Sequence, residues 1–234
     1  MSTNYKLSAL AGKIIAIDGP AGSGKSTTAR LLASKIGYTF LDTGAMYRVV
    51  AWVAIKKGIS VDDGESLEMI SRQVEISFEM DGEINRVFLF GKDMTDEIRT
   101  LEVTKAVSPV SVHSGVRTAM VKRQRDLAKD GSVVAEGRDT TSVVFPNADL
   151  KIFLDASIEE RARRRQLELV RKGISTDFEE LKKDIIERDK RDSGRENSPL
   201  TKMADAVVID TTSLTIEDQV ERIIRLIKAR ILNA

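Results

Sequence analysis

The segment Gly19-Pro20-Ala21-Gly22-Ser23-Gly24-Lys25-Ser26-Thr27 constrains this chain more than any other. It fits a template of glycine, four residues, then Gly-Lys-Ser/Thr. Ile14-Ile15-Ala16-Ile17 reads as a buried strand just before it, and Thr27 to Ile36 as a helix just after it. A loop between strand and helix gathers backbone N–H groups and a helix N-terminus around one point, where phosphate oxygens are attracted. Its glycines let the backbone come close to a ligand. Residues Gly19, Pro20, Ala21, Gly22, Ser23, Gly24, Lys25, Ser26 and Thr27 are therefore the expected nucleotide cradle. Lys25 is placed on β- and γ-phosphate oxygens, and the Ser26 hydroxyl is the expected Mg²⁺ ligand. A glycine-rich αβ turn that binds nothing is the bland alternative.

The remaining chemistry is limited by what the chain lacks. It has no cysteine, which excludes disulfides, thiolate zinc and a thiol nucleophile. His113 is its one histidine, so a multi-histidine metal site is ruled out, a Ser-His-Asp triad is disfavoured, and a structural role is expected for it. Carboxylates, lysine, arginine, hydroxyls and backbone amides must do the work. With 37 basic and 36 acidic residues there is no basic excess of the kind a nucleic-acid binder shows. The positive charge is instead clustered, at residues 161–165 and 188–195, which suits a compact polyanion such as a nucleotide. No apolar run approaches the ~20 residues of a membrane span. The first dozen residues carry no apolar signal core and read as a frayed tail, so no secretion signal is expected; a cytoplasmic location, which the lack of cysteine suits, and a monomer are the further expectations.

Along the chain, short apolar strands at 14–18, 38–41, 132–135, 150–154 and 206–209 alternate with helices. This predicts an α/β fold: a central, mostly parallel five-stranded sheet flanked by helices on both faces. Helices are expected at 27–36, 45–57, 104–112, 114–129, 157–171, 178–191 and 215–232, with Pro109 bending or breaking the third. Val74–Phe78 and Arg86–Phe90 flank the turn signal Asp81-Gly82, so a small antiparallel hairpin is expected inside a docked insert at about 62–105. The arginine-rich stretch at about 157–199 is the expected helical lid. Such a lid excludes water and brings guanidinium forks to a transferring phosphoryl group. The alternative is a solvated face with i,i+4 pairs such as Glu160 with Arg164 or Asp184 with Arg188. The core then comprises about 13–61, 106–156 and 200–234. Ligands of such sheets bind at the carboxyl ends of the strands. Here those ends carry Asp18, Asp42-Thr43, Glu136-Arg138-Asp139, Asp155 and Asp210. No Asn-Lys-x-Asp stretch for guanine is present, and a small-molecule kinase suits the chain's size and arginines best. A kinase of UMP or of another metabolite, a regulatory nucleotide-binding ATPase and an RNA-binding module are the rivals.

Further segments carry a resemblance. Asp42-Thr43-Gly44-Ala45-Met46-Tyr47-Arg48, Glu97-Ile98-Arg99-Thr100, Gly137-Arg138-Asp139 with Val143-Val144-Phe145-Pro146, Lys151–Ala156 with Glu160-Arg161, and Arg188–Asp192 resemble, in order, segments of bacterial-type cytidylate kinases. The likeness runs from about Ile14 to the last helix. It implies the P-loop kinase fold, with the insert as the nucleoside-monophosphate-binding subdomain. It also implies Mg²⁺-dependent transfer of the ATP γ-phosphate to CMP or dCMP, giving CDP or dCDP. Carried over residue by residue, it gives Thr43, Tyr47, Arg48, Arg138 and Arg195 to the acceptor phosphate. Ser108, Arg117 and Asp139 go to the cytosine edge, and Arg188 and Asp192 to the sugar. Lys25, Arg138, Arg188 and Arg161 are the implied catalytic groups. A carboxylate, an arginine and a hydroxyl match the donor and acceptors of that edge. The bland readings are that Ser108 caps the turn before Pro109 and that Tyr47 is a core aromatic. The family's Asp-Gly-Arg-Asp-Ile/Met-Gly-Thr reads here Glu136-Gly137-Arg138-Asp139-Thr140-Thr141-Ser142. Loss of the glycine at 141 is expected to cost backbone freedom near the base.

Overall fold

The computed structural model describes residues 10–82, 84–171 and 173–232. The expected tail falls, up to residue 9, outside them. Leu10 itself is buried and its carbonyl accepts the Tyr38 hydroxyl, so the chain is packed from that point on.

Five strands form the central sheet: β1 (Ile14–Asp18), β2 (Thr39–Asp42), β6 (Val133–Gly137), β7 (Leu150–Asp155) and β8 (Val207–Asp210). Their order is β2-β6-β1-β7-β8, and every pairing is parallel. Between and around them run α1 (Lys25–Ile36), α2 (Thr43–Lys56), α3 (Gly64–Gln73), α4 (Leu101–Val110), α5 (Ser114–Leu127), α6 (Ile158–Arg171), α7 (Phe178–Ser193) and α8 (Ile216–Ile227). Strand side chains alternate between faces, so one strand feeds two cores. Val133 and Ala135 of β6 pack with α2, α4 and α5, whereas Val134 packs with α1 and α8. α8 starts on a reciprocal capping box of Thr215 and Asp218. Its α-helical hydrogen bonding stops at Ile227, and wider turns cover Lys228–Leu232.

Within the expected insert, β3 (Ile76–Asp81), β4 (Ile84–Leu89) and β5 (Lys92–Asp93) form a separate antiparallel sheet. Its inner residues Ile76, Val87 and Leu89 share the apolar cluster of Met46, Val49 and Val50 from α2. The helix α3 has no counterpart in the sequence reading. Its strongest local signal is Asp63, whose side chain accepts the Ser66 N–H. Burial of Leu67 and Ile70 against α5 then holds a segment of modest intrinsic propensity. Two glycines permit that approach, because a Cβ at 64 lies 2.8 Å from His113 Nδ1 and one at 115 lies 1.9 Å from Glu68 Oε2. His113 is structural, with Nε2 2.8 Å from the Val61 carbonyl. Pro109 stands inside α4. It sits in the last turn, and the helix stops one residue later.

Asn85 is a local conflict. It points inward from β4, is 4% exposed, and neither of its amide atoms has a hydrogen-bond partner among the described residues. Burying an unpaired amide costs about 1–3 kcal/mol. Asn85→Leu is therefore expected to raise the urea-unfolding free energy by roughly that amount with an unchanged slope. A lower unfolding midpoint overturns this reading.

Candidate active site

The carboxyl ends of β1 and β6 lie side by side, with Ile17 opposite Glu136 and Asp18 opposite Gly137. After Asp18 the chain enters the glycine-rich loop. A Cβ at residue 19 falls 2.1 Å from the Leu154 carbonyl oxygen, so only glycine passes β7 there. Gly24 takes φ 90° at the N-cap of α1, and no side chain caps that helix. Its first N–H groups are left to face an anion.

Lys25 follows and is 7% exposed. Its ammonium lies 3.8 Å from Glu136 Oε2 and 3.4 Å from the Pro20 carbonyl. Burial and the nearby Arg138 charge pull its pKa down to about 8, with Glu136 acting the other way. Ser26 Oγ donates to Glu136 Oε1 at 2.7 Å. Burial pushes the Glu136 carboxyl up, against the pull of Lys25. Thr28 Oγ1 donates to Gln219 Oε1 at 2.6 Å and fastens α1 to α8. The lowered Lys25 pKa sets a pH limit. Phosphate needs the ammonium, which in the free protein is lost as pH rises through about 8. A pH profile of kcat/KM for ATP is expected to fall above that value. At saturating ATP, kcat should hold to higher pH, because bound phosphate favours the charged form. A kcat/KM profile flat to pH 9.5 contradicts it.

Across the sheet end, Asp192 of α7 is 1% exposed and collects three arginines. Arg138 Nε donates to its Oδ2 at 2.8 Å, Arg195 Nη2 donates to Oδ1, and Arg188 Nε lies 3.9 Å away. Burial alone drives the Asp192 carboxyl up, but the guanidiniums of Arg138, Arg195 and Arg188 hold it below its ordinary value. Arg188, crowded by burial and Arg138, is lowered to about 10. Three cations face one anion, and among the described residues the buried Nε of both Arg188 and Arg195 finds no hydrogen-bond partner. This cluster is built to receive a further anion.

A second buried pair adjoins it. Arg117 Nη2 donates to Asp139 Oδ2, and its Nη1 donates to the Ser111 carbonyl at 3.1 Å. The guanidinium carbon lies 5.4 Å from the Tyr47 ring centre. Burial raises the Tyr47 hydroxyl to about 12. Asp139 Oδ1 meets no protein donor among the described residues. Ser108 is buried at the end of α4, where its carbonyl accepts the Ser111 hydroxyl.

Other expected site residues are differently engaged. The Thr43 hydroxyl donates to the Glu136 carbonyl at 2.7 Å, a contact that Gly137 makes possible, since a Cβ there lies 2.4 Å from it. Arg48 Nη1 donates to Thr104 Oγ1 at 2.8 Å and to the Ile98 carbonyl at 3.3 Å. Arg161 is buried against the glycine-rich loop, bonding the Ala21 carbonyl at 3.1 Å and Asp189 at 2.6 Å. Arg163 and Arg164 pair with Glu160, and Arg165 pairs with Glu168. The i,i+4 pair Glu160–Arg164 forms, while Arg188 turns to Asp192. Sequence reasoning left Glu136 and Gln219 out of the site. An acidic residue at a strand's carboxyl end signalled the first, but only the sheet order puts it beside Lys25. Thr141 corrects one expectation. The described non-glycine residues with positive φ are Phe90, Ser132 and Ser198, so no glycine-only conformation is lost at 141.

The sequence model of the cytidylate kinase family matches residues 15–229. A cytidylate kinase of Geobacillus sp. (strain WCH70) is 49% identical over 93% of this chain and 97% of its own. One from Leuconostoc mesenteroides is 48% identical over the same shares. A solved structure of an uncharacterized protein from Eubacterium ventriosum shares the fold at a TM-score of 0.51 and 13% identity, covering 93% of this chain and 99% of that one. The quoted segments, the phosphate cradle and a match along nearly the whole length agree, and the chain belongs to the cytidylate kinase family.

Proposed function

We propose that this protein transfers the γ-phosphoryl group of ATP to CMP or dCMP. The observation that carries the reading is the arginine cluster around Asp192, set beside Lys25 and next to the Arg117–Asp139 pair. One enclosed region thus offers a triphosphate cradle, an anion site and a hydrogen-bonding edge.

In this reading the loop amides and Lys25 hold the β- and γ-phosphates. Arg138 and Arg195 hold the acceptor phosphate, whose second ionisation near pH 6 leaves it a dianion. Its oxygen forms the new bond to the γ-phosphorus as the bond to the β,γ-bridging oxygen breaks, and ADP departs with those electrons. No protein base is needed, because the attacking oxygen carries no proton. Positioning and charge neutralisation supply the rate. The Ser26 hydroxyl and the Glu136 carboxylate, 2.7 Å apart, are hard oxygen donors that fit Mg²⁺. They would hold it together with phosphate oxygens and water. When bound, it supplies charge neutralisation on the phosphates.

Arg117, Asp139 and Ser108 read the base: a free Asp139 oxygen accepts the cytosine amino group, and Arg117 donates to the ring acceptors. Arg188 and Asp192 meet the sugar. The segment 157–199 acts as the lid and 62–105 as the acceptor-binding insert, moving against the rest. Steady-state rates with CMP, dCMP, UMP and AMP test the assignment. CMP and dCMP should lead, and a clear preference for AMP refutes it.

A further inference from the structure

Asp18 is a fully buried carboxylate for which the transfer chemistry above has no use. Its Oδ1 accepts Thr140 N–H at 2.9 Å and Thr140 Oγ1 at 2.5 Å. Its Oδ2 accepts Thr141 N–H at 2.8 Å and Thr141 Oγ1 at 2.6 Å. The acceptor capacity of a carboxylate is thereby filled. Burial pushes the carboxyl up, and the four donors pull it back.

The partners sit at telling places. Asp18 directly precedes Gly19, where the phosphate loop begins, and Thr140 directly follows Asp139. Thr140 and Thr141 open the wide helical turn Thr140–Val144, whose first N–H groups have no acceptor within it. Asp18 caps that turn from 122 residues away. Arg138 and Asp139 are consequently pinned on both sides. Before them, β6 is held in register against β1, with Gly137 opposite Asp18. After them, the same carboxylate holds Thr140 and Thr141. One side chain fixes the distance from the donor loop to the two residues that face the acceptor.

We infer that Asp18, acting through Thr140 and Thr141, is a positioning residue that sets Arg138 and Asp139 against the phosphate loop. The inference rests on the functional reading above. It also gives the Thr140-Thr141 departure from the family pattern a purpose: each threonine adds a hydroxyl to a backbone amide at the same carboxylate.

The test is the double variant Thr140→Val/Thr141→Val, which keeps side-chain shape and both amide bonds but removes both hydroxyls. Its KM for the acceptor is expected to rise about tenfold, with kcat/KM for ATP changed less than about twofold. Thr140→Ser/Thr141→Ser restores the hydroxyls and should return KM to within about twofold of wild type. Asp18→Asn should show the same split more strongly. A purely structural carboxylate predicts instead that the valine variant melts earlier while KM, measured well below its melting point, is unchanged. That result, or failure of the serine pair to rescue, overturns the inference. The assays use whichever of CMP, dCMP and UMP the wild-type protein phosphorylates. Wild-type turnover with unaltered constants in the valine variant sinks this inference alone. No turnover by the wild type sinks the functional reading and this inference with it.

Discussion

Lys25→Ala is expected to lower kcat by about 10³-fold or more with CMP, dCMP and UMP alike. The magnitude follows from where the ammonium lies. It is buried beside Glu136, while Arg138 and Arg195 are committed to Asp192 and Arg161 to Asp189. Charge that develops on the γ-phosphoryl oxygens in so enclosed a place meets little solvent screening, so losing the nearest cation is costly. The acceptor does not touch Lys25 in the proposed arrangement, so KM for CMP should move by less than about threefold. The fold should survive. Glu136 loses its nearest counter-charge, but the Arg138 guanidinium still acts on it and Ser26 still donates to it. Stopped-time assays with each acceptor, alongside thermal melts, check this. A residual kcat within tenfold of wild type removes Lys25 from the reaction centre.

Asp139→Ala is expected to act on the other substrate. KM for CMP should rise about 10²-fold while KM for ATP stays within about twofold. The deleted carboxylate does two things. It holds Arg117 in place over Tyr47, and it offers Oδ1 to an incoming amino group. Its loss strands a buried guanidinium, so a drop in melting temperature accompanies the kinetic defect. Asp139→Asn separates the two effects, because it keeps the shape and one acceptor but adds a donor that repels the cytosine amino group. Discrimination between CMP and UMP should narrow in the asparagine variant, since the uracil carbonyl accepts that donor. Unchanged CMP kinetics in both variants takes Asp139 out of the base site.

Much of this molecule was legible before any coordinates. The five strands lie within two residues of the positions read from apolar runs, because β1, β6 and β7 are buried on both faces and need an unbroken apolar stretch, and the edge strand β8 is apolar even where Val208 is exposed. The hairpin was visible in its alternation around Asp81-Gly82. The helix α3 was not, because its inward side is short, with Leu67, Ile70 and the polar Ser71 on a glycine-started segment, and packing on α5 decides its state. Pro109 lies within α4 and not at a break in it, and the helix ends one residue later.

The candidate site divides along the same line. The phosphate loop is a contiguous motif whose chemistry is local: glycine where φ is positive or a Cβ collides, lysine and serine at the helix start. The sequence by itself determined that loop, and the family segments named most of the arginines. Only the tertiary structure decided what those charges do. Strand order brings Glu136 to Lys25 and Ser26, α7 folds Asp192 under three arginines, and parallel register lets Asp18 reach Thr140 and Thr141. These partners are far apart along the chain, and Coulomb and hydrogen-bond energies fall off with distance in space, to which sequence separation gives no guide.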